Sequence, residues 1–298
     1  MILYVVYRIG IFLALAVPLK VSYAMACVFA DVFCFCSARD RKAVIQNIRF
    51  IAGGSVDEKA VEAMARDVFR NFAKYLVDFF RFQKIDGEYM KRFVRVEDRG
   101  NIDAALARGK GVIMLSAHIG NWELGGAAVC SMGYPLSAVV LTHQNKRIND
   151  FFTRQRMRGR MMPIEIGASL RACYRTLKNN NLLAVLGDRD FTRNGIMTEF
   201  FGKRALIPKG AAVFSYRVGS AIVPSFMIRQ PDDTFTLFIE KPILPDTGLE
   251  ETAAVEDLTG KCVAVIESYV RKYPTQWYIF KDLWDTDAEK RMRPDTII

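Results

Sequence analysis

A histidine and a glutamate five positions apart are the residues of this chain best suited by type and spacing to chemistry. His118 is one of two histidines in the sequence, and Glu123 follows it across a break that contains Asn121. The apolar run 111–115 predicts a buried strand, and the run from Trp122 predicts a helix capped by Asn121. On one continuous helix, positions five apart point about 140° away from each other. The two side chains therefore approach each other only if a strand ends and a helix begins between them.

This arrangement predicts a general base. The free N–H groups and the dipole of a first helical turn keep a carboxylate such as Glu123 ionised. An ionised carboxylate that orients a neutral imidazole makes a base able to take a proton from an alcohol or an amine. The spacing alone also suits a histidine with a purely structural role, so the remaining motifs must decide between the two interpretations.

A second polar cluster, Gly187-Asp188-Arg189-Asp190, follows the apolar run 182–186. In open α/β sheets, ligands bind at the carboxyl ends of strands, where both this cluster and His118 are predicted to lie. Two interpretations stand beside a catalytic one. The cluster can be a solvated turn, or its Asp-x-Asp pattern can hold a metal ion and a sugar nucleotide, as in many glycosyltransferases.

A basic stretch lies between His143 and Arg160. It holds six basic residues against Asp150, namely Lys146, Arg147, Arg154, Arg156, Arg158 and Arg160. Aromatic residues interleave with them, but no nucleic-acid-binding motif accompanies the stretch, so we expect no nucleic-acid partner. It predicts either a solvated helix face or a surface for phosphorylated headgroups or an acidic carrier protein.

Short apolar runs alternate with helical patterns along most of the chain. Strands are predicted at 111–115, 136–141, 163–166, 182–186, 221–228 and 235–240, and helices at 57–83, 145–158, 169–178, 209–218 and 252–272. This order predicts a single α/β domain, spanning 43–298, with a largely parallel central sheet covered by helices.

The first 42 residues predict an apolar helical membrane-associating segment. Runs 2–17 and 21–36 are apolar, but Arg8 and Asp31 interrupt them, so neither gives the roughly 20 uninterrupted apolar residues of a clear transmembrane helix. No signal-peptide pattern is present. The segment is expected to span the membrane or to lie in its interface, and a pair of buried helices is the alternative.

Composition favours anionic partners. The formal net charge is +10, and 51% of residues are hydrophobic. A basic, apolar-rich chain suits membrane lipids, phosphorylated substrates or acidic proteins. The six cysteines show no paired metal-ligand spacing, so we expect reduced structural thiols and no metal site.

The region around His118 resembles the His-x-x-x-x-Asp/Glu motif of the glycerolipid acyltransferase superfamily. More narrowly, the chain resembles the bacterial lipid A biosynthesis acyltransferases of the lauroyl and myristoyl type and the related phosphatidylinositol mannoside acyltransferases. Further similar blocks follow in order along the chain: Gly187–Asp190, Glu199–Gly202, Pro208–Ala212, Gly219–Pro224 and Tyr273–Trp277. The residues after Trp277 depart from the lipid A branch, and the run 189–192 is closer to the mannoside branch.

The resemblance implies a membrane-associated acyltransferase at the cytoplasmic face of the cell inner membrane. It would move a fatty acyl chain from an acyl thioester of acyl carrier protein or coenzyme A to a hydroxyl of a glycolipid such as a lipid A precursor. No cofactor beyond this acyl co-substrate is expected. His118 would be the general base and Glu123 its orienting partner. The substrate-binding residues implied are Asn121, Arg156, Asp188, Arg189, Asp190, Glu199, Phe200 and Phe201.

Within this interpretation, Arg189 would bind a phosphate or stabilise an oxyanion, and Phe200 and Phe201 would line an acyl channel. No serine or cysteine nucleophile is expected beside His118, because Ser116 faces the other side of an alternating strand. Two alternatives stand: a metal-dependent glycosyltransferase that uses Asp188 and Asp190, and a non-catalytic basic membrane-binding protein.

Overall fold

A seven-stranded sheet organises the protein, as seen in a computed structural model that describes residues 2–53, 56–166 and 170–284. The strand order is β1-β9-β8-β2-β5-β3-β4, and β6 and β7 form a separate hairpin. The strands are β1 Val94–Glu97, β2 Val112–Ser116, β3 Leu136–Val140, β4 Met162–Glu165, β5 Leu182–Leu186, β6 Ile196–Phe200, β7 Lys203–Ile207, β8 Ala221–Arg229 and β9 Phe235–Ile239.

The sheet is largely parallel, which confirms the predicted fold class. Strands β2, β3, β4, β5 and β8 run in one direction, and β9 pairs antiparallel with β8. Strand β1 joins the edge beside β9. The sequence did not indicate β1 or the β6–β7 hairpin, because these short strands contain exposed and partly buried side chains and lack a continuous apolar run.

Helices cover both faces of the sheet. They are α1 Ile2–Ala16, α2 Leu19–Cys36, α3 Ala38–Ala52, α4 Glu58–Phe80, α5 Gly87–Phe93, α6 Gly100–Leu106, α7 Trp122–Ser131, α8 Lys146–Arg158, α9 Leu170–Lys178, α10 Gly210–Val218 and α11 Glu251–Lys272. The predicted helices and strands are confirmed to within a few residues, although the predicted start of α9 at Ser169 lies outside the described residues. The run of β2 is continuously apolar because both faces of the strand are buried. Met114 packs into the core on one face of the sheet, and Leu115 packs into the core on the other.

The N-terminal helices pack on α4 and present an apolar outer face. Helix α2 is the one helix of the described ranges that is long and apolar enough to cross a membrane, and 22% of its apolar stretch is buried within the protein. Its Asp31 pairs with Arg66 and Arg70 of α4 at 2.8 Å. The charge that interrupts this run is therefore a packing contact. The exposed large apolar side chains of the two helices include Val5, Val6, Ile9, Phe12, Val28, Phe29, Val32 and Phe35.

Candidate active site

Strand register places His118 beside Asp188. Strands β2 and β5 are hydrogen-bonded parallel neighbours, and Ser116 pairs with Leu186 at their carboxyl ends. His118 follows Ser116 by two positions, and Asp188 follows Leu186 by two positions. The two side chains therefore leave neighbouring strands at the same level of the sheet edge, although they are far apart in the sequence.

Asp188 is the hydrogen-bond partner of the His118 ring. The imidazole Nδ1 lies 2.8 Å from Asp188 Oδ1, and Asp188 Oδ2 accepts the backbone N–H of His118 at 2.9 Å. The indole N–H of Trp277 donates to the same Oδ2 at 2.9 Å. Burial raises the pKa of the Asp188 carboxyl, but the His118 imidazole and these hydrogen bonds more than offset it, so the pKa lies below its usual value.

Glu123 occupies a different position from the one expected. The first turn of α7 directs its carboxylate toward α8, where it accepts hydrogen bonds from Arg156 Nη2 at 2.7 Å and Nε at 3.0 Å. Both side chains are nearly buried, with exposed fractions of 4% for Glu123 and 12% for Arg156. In the structure, Asp188 and not Glu123 makes the expected carboxylate contact with the His118 imidazole. Glu123 instead neutralises and holds the nearly buried Arg156 guanidinium.

Asn121 caps α7, as its position predicts. Its side-chain oxygen accepts the N–H of Leu124 at 3.0 Å, and its amide donates to Asp78 Oδ2 at 2.9 Å. Asp78 also accepts hydrogen bonds from Tyr23 of α2 and Arg229 of β8. With an exposed fraction of 1%, Asn121 does not line the cavity described below, so the structure brings no support to its expected role in substrate binding.

Main-chain hydrogen bonds hold the turn between His118 and α7. The carbonyl of His118 accepts the N–H of Tyr278 at 2.8 Å, and the N–H of Gly120 donates to the carbonyl of Gln276 at 2.9 Å. Gly120 has a φ of 61°, and a Cβ there would lie 2.0 Å from the carbonyl oxygen of Met227 in β8. Only glycine fits this close approach.

His118, with a side chain 16% exposed, opens onto a cavity of about 790 Å³ at the carboxyl edge of the sheet. Glu123, Arg156, Arg189 and Asp190 also line this cavity, and most of the remaining lining is apolar. The site therefore combines an imidazole that is partly exposed to the cavity, and its buried carboxylate partner, with a mostly apolar space. That combination suits a proton transfer next to an alkyl chain.

The remaining residues of the second polar cluster surround the cavity. Arg189 lies over the ring of Phe191, with its guanidinium carbon 4.5 Å from the ring centre. Asp190 organises its own loop, because its carboxylate accepts the backbone N–H groups of Thr192 and Gly195, each at 2.7 Å. Asp188 and Asp190 therefore have separate protein partners. In the described ranges, no group of three or more His, Cys, Asp or Glu side chains is arranged to hold a metal ion.

Glu199, Phe200 and Phe201 lie away from the cavity, in contrast to their expected role in substrate binding. Glu199 is exposed on β6, and none of the three lines the cavity within the described chain. The rings of Phe200 and Phe201 are buried against Trp277 and Trp284. Phe200 and Phe201 pack in the core against Trp277, whose indole contacts Asp188, because the hairpin turns their rings inward.

Small residues that the sequence analysis did not single out make the room for the cavity. Gly125 and Gly126 of α7, Ala138 of β3 and Ala184 of β5 all line it. The run of small residues after Glu123 is the sequence pattern that could have indicated this cavity. Ser116 also lines the cavity, so the expectation that it faces away from His118 was wrong: positions two apart on an alternating strand share a face. No described hydrogen bond joins Ser116 to the imidazole.

The chain is similar to known acyltransferases over most of its length. Residues 1–286 match the family model described as bacterial lipid A biosynthesis acyltransferase. A phosphatidylinositol mannoside acyltransferase of Mycolicibacterium smegmatis is 23% identical over 239 residues, which cover 78% of this chain and 77% of that relative. A lipid A biosynthesis palmitoleoyltransferase of Escherichia coli is 26% identical over 219 residues, which cover 72% of this chain and 69% of that relative.

These similarities span the β2–α7 turn, the β5 edge and the C-terminal segment that together build the site. The chain belongs to the bacterial lipid A biosynthesis acyltransferase family and is an acyltransferase.

Proposed function

We propose that the protein transfers a fatty acyl group from an acyl thioester, carried by acyl carrier protein or coenzyme A, to a hydroxyl of a glycolipid. The observation that carries this proposal is the 2.8 Å contact between His118 Nδ1 and Asp188 at the wall of an apolar cavity. An ionised Asp188 favours the tautomer whose proton lies on Nδ1, which leaves Nε2 as the basic nitrogen. The position of the pair at the cavity supports His118 as the general base.

The proposed reaction needs no acyl-enzyme. His118 Nε2 takes the proton of the acceptor hydroxyl as its oxygen attacks the thioester carbonyl, and a tetrahedral intermediate forms. The intermediate collapses by breaking the carbon–sulfur bond, and the leaving thiolate receives the proton from the imidazolium. Asp188 stabilises the imidazolium between the two steps. Arg189 lines the cavity and is proposed to stabilise the oxyanion or to bind a substrate phosphate.

The acceptor is proposed to be a lipid A precursor, a mannoside lipid or a related glycolipid. The relatives are named for phosphatidylinositol mannoside and for lipid A, and both of these lipids are glycolipids. The departure after Trp277 and the run 189–192 favour the mannoside type. Lipid mass spectrometry of a strain that lacks the gene tests this choice, because an envelope lipid short of one acyl group identifies the acceptor.

We also propose that the protein acts at the cytoplasmic face of the inner membrane. The exposed apolar side chains of α1 and α2 form the surface that would enter the lipid, and three basic residues follow at Arg39, Arg41 and Lys42. Apolar burial gives the stable part of such attachment, while each basic residue near an anionic surface adds only about 1 kcal/mol that salt weakens. The segment lies on the membrane in this proposal, because its Asp31 and Tyr23 contact α4.

The variant His118→Ala tests the catalytic proposal. Transfer from a labelled thioester should fall by roughly 10²–10⁴-fold, the usual contribution of a general base, with the thermal unfolding transition retained. Glu199→Ala is the matched control, because Glu199 belongs to a similar motif but is exposed and away from the cavity. Equal turnover in His118→Ala and the wild type would disprove the assignment.

Membrane attachment is tested with the triple variant Phe12→Ser, Phe29→Ser, Phe35→Ser, whose residues are exposed and contribute little to the core. High salt should leave the wild-type protein in the membrane pellet, whereas the variant should move to the supernatant. Complete release of the wild type by salt alone would show that the attachment is only electrostatic, contrary to the proposal.

A further inference from the structure

The cavity reaches both faces of the central sheet. Ala184 and Val185 are neighbours on β5, and both line the cavity and are only partly buried, although β5 lies between β2 and β3. Ala138 and Val139 of β3 show the same pattern. Because successive strand residues point to opposite faces of a sheet, open space must exist on each side. The cavity therefore has two lobes that meet at the carboxyl edge, near His118.

Different helices and different parts of the core enclose the two lobes. The α7 lobe is lined by Met114, Val129, Leu136, Ala184 and Met227, which belong to one hydrophobic cluster. The α9–α10 lobe is lined by Val139, Cys173, Tyr174, Val185, Val213 and Phe214, which belong to the other. Both linings are apolar, so each lobe suits an alkyl chain and neither suits a sugar.

The surroundings of the lobes differ in charge. The exposed side chains of Lys209 and Arg217, at the two ends of α10, also line the cavity on the α9–α10 side, and Arg217 pairs with Glu251 at 2.7 Å. Such groups suit the phosphate of a lipid headgroup. The α7 lobe begins at the first turn of α7, whose partial positive charge suits a carbonyl oxygen that becomes an oxyanion.

We propose that the cavity binds two alkyl chains at once. The α7 lobe takes the acyl chain that is transferred, and the α9–α10 lobe takes a chain already present on the acceptor lipid. This inference rests on the proposed function and adds to it the way in which the site would hold an acceptor glycolipid that already carries an alkyl chain.

Adjacent positions on β5 give a matched pair of variants. Ala184→Phe fills the α7 lobe, and Val185→Phe fills the α9–α10 lobe from the same strand. Each is assayed with short-chain and long-chain acyl-coenzyme A and acyl carrier protein donors. The acceptors are a phosphatidylinositol mannoside and a lipid A precursor, each intact and deacylated. Thermal unfolding shows whether each variant folds, and Val213→Phe reaches the same lobe as Val185→Phe from α10.

Val185→Phe should lower kcat/KM for the intact acceptor by at least about tenfold, because every excluded methylene forfeits favourable burial. Its kcat/KM for the deacylated acceptor should stay within about threefold of the wild type, a difference well below that burial effect. Ala184→Phe should impair long-chain donors and spare short-chain donors, whichever acceptor is present.

Two results would overturn the proposal while leaving acyl transfer intact. If Val185→Phe and Val213→Phe change donor chain preference, the lobe holds the donor. If they affect intact and deacylated acceptors equally, no acceptor chain enters it. If wild-type protein transfers no acyl group to any of the acceptors, the proposed function fails and this inference falls with it.

Discussion

His118 and Asp188 share two hydrogen bonds, one from the imidazole ring and one from the histidine backbone N–H, so a single carboxylate fixes both the ring and the main chain of the proposed base. The carboxylate is itself held by the Trp277 indole. Such an arrangement favours one tautomer and one orientation of the imidazole before substrate arrives, and the carboxylate that contacts the ring follows β5 and does not come from α7.

Asp188→Asn should therefore reduce turnover severely. The amide keeps the shape but removes the charge that stabilises the imidazolium, and its NH₂ group can stabilise the wrong tautomer of His118. We expect a loss of about 10²–10⁴-fold in kcat, comparable with removal of a general base. Steady-state kinetics measure the effect. Retention of more than half of the wild-type kcat would show that Asp188 is only a structural residue.

Glu123→Gln should behave differently from Asp188→Asn. It leaves the Arg156 guanidinium charged, nearly buried and without its ionic partner. Removing one member of a buried pair costs about 3–5 kcal/mol. We expect a clear drop in the free energy of unfolding, measured by urea denaturation, together with reduced activity.

The double variant Glu123→Gln, Arg156→Met separates the two roles of this pair. It removes the uncompensated charge and should recover much of the lost stability. If it also recovers full activity, the pair serves folding alone, whereas a persistent loss of turnover would place it in the transfer step.

Asp78 should be among the most sensitive buried positions. Its carboxylate joins Tyr23, Asn121 and Arg229, and its exposed fraction is 2%. Asp78→Ala leaves the buried Arg229 guanidinium with only the longer 3.4 Å contact to Asp233, and it should lower the free energy of unfolding by about 3–5 kcal/mol. Tyr23→Phe removes the hydrogen bond that its hydroxyl donates to Asp78 and the one it accepts from Arg229 Nη1, but it keeps the charge pair and should cost about 2 kcal/mol. Equal, small effects in the two variants would show that the charge pair is not important for stability.

His143 should make the fold sensitive to mild acid. Burial and then the nearby Arg156 charge lower the pKa of His143 below its ordinary value near 6.5, and Glu123 opposes this only in part. The unfolded chain therefore takes up a proton at a higher pH than the folded protein does, so stability falls as the pH drops below about 6.5. In His143→Gln, the free energy of unfolding should fall less between pH 7 and pH 5. Parallel pH profiles for both proteins would contradict this.

The sequence predicted which residues lie near the site better than it predicted which of them contact each other. The apolar runs before His118 and Asp188 predicted two strands whose carboxyl ends carry polar residues, and both strands are confirmed. Their adjacency was not predictable from chain order, because β3 and β4 come between them in sequence but lie beyond β5 in the sheet. Register then determines that Asp188, rather than the nearer Glu123, contacts the imidazole.

For two aromatic residues, the sequence did not predict the surroundings of the side chains. The side chains of Phe200 and Phe201 would suit the lining of an acyl channel as well as a protein core. Only the geometry of the β6–β7 hairpin determines that they pack on Trp277. The space for an alkyl chain comes instead from glycine and alanine. A cavity forms where several small side chains meet in the fold, and the residue type at any single position gives little indication that this will happen.

The main-chain bonds that hold the His118 turn also determine when the site can form during synthesis. Strand β2 and helix α7 emerge early, but the carbonyl of His118 finds its partner only in Tyr278, 160 positions later, and Asp188 finds its indole only in Trp277. A nascent chain that ends before Trp277 thus holds the strands of the sheet without the contacts that hold this turn. Formation of the site is therefore coupled to synthesis through Tyr278, and a translation product truncated before Trp277 carries the whole motif without these contacts.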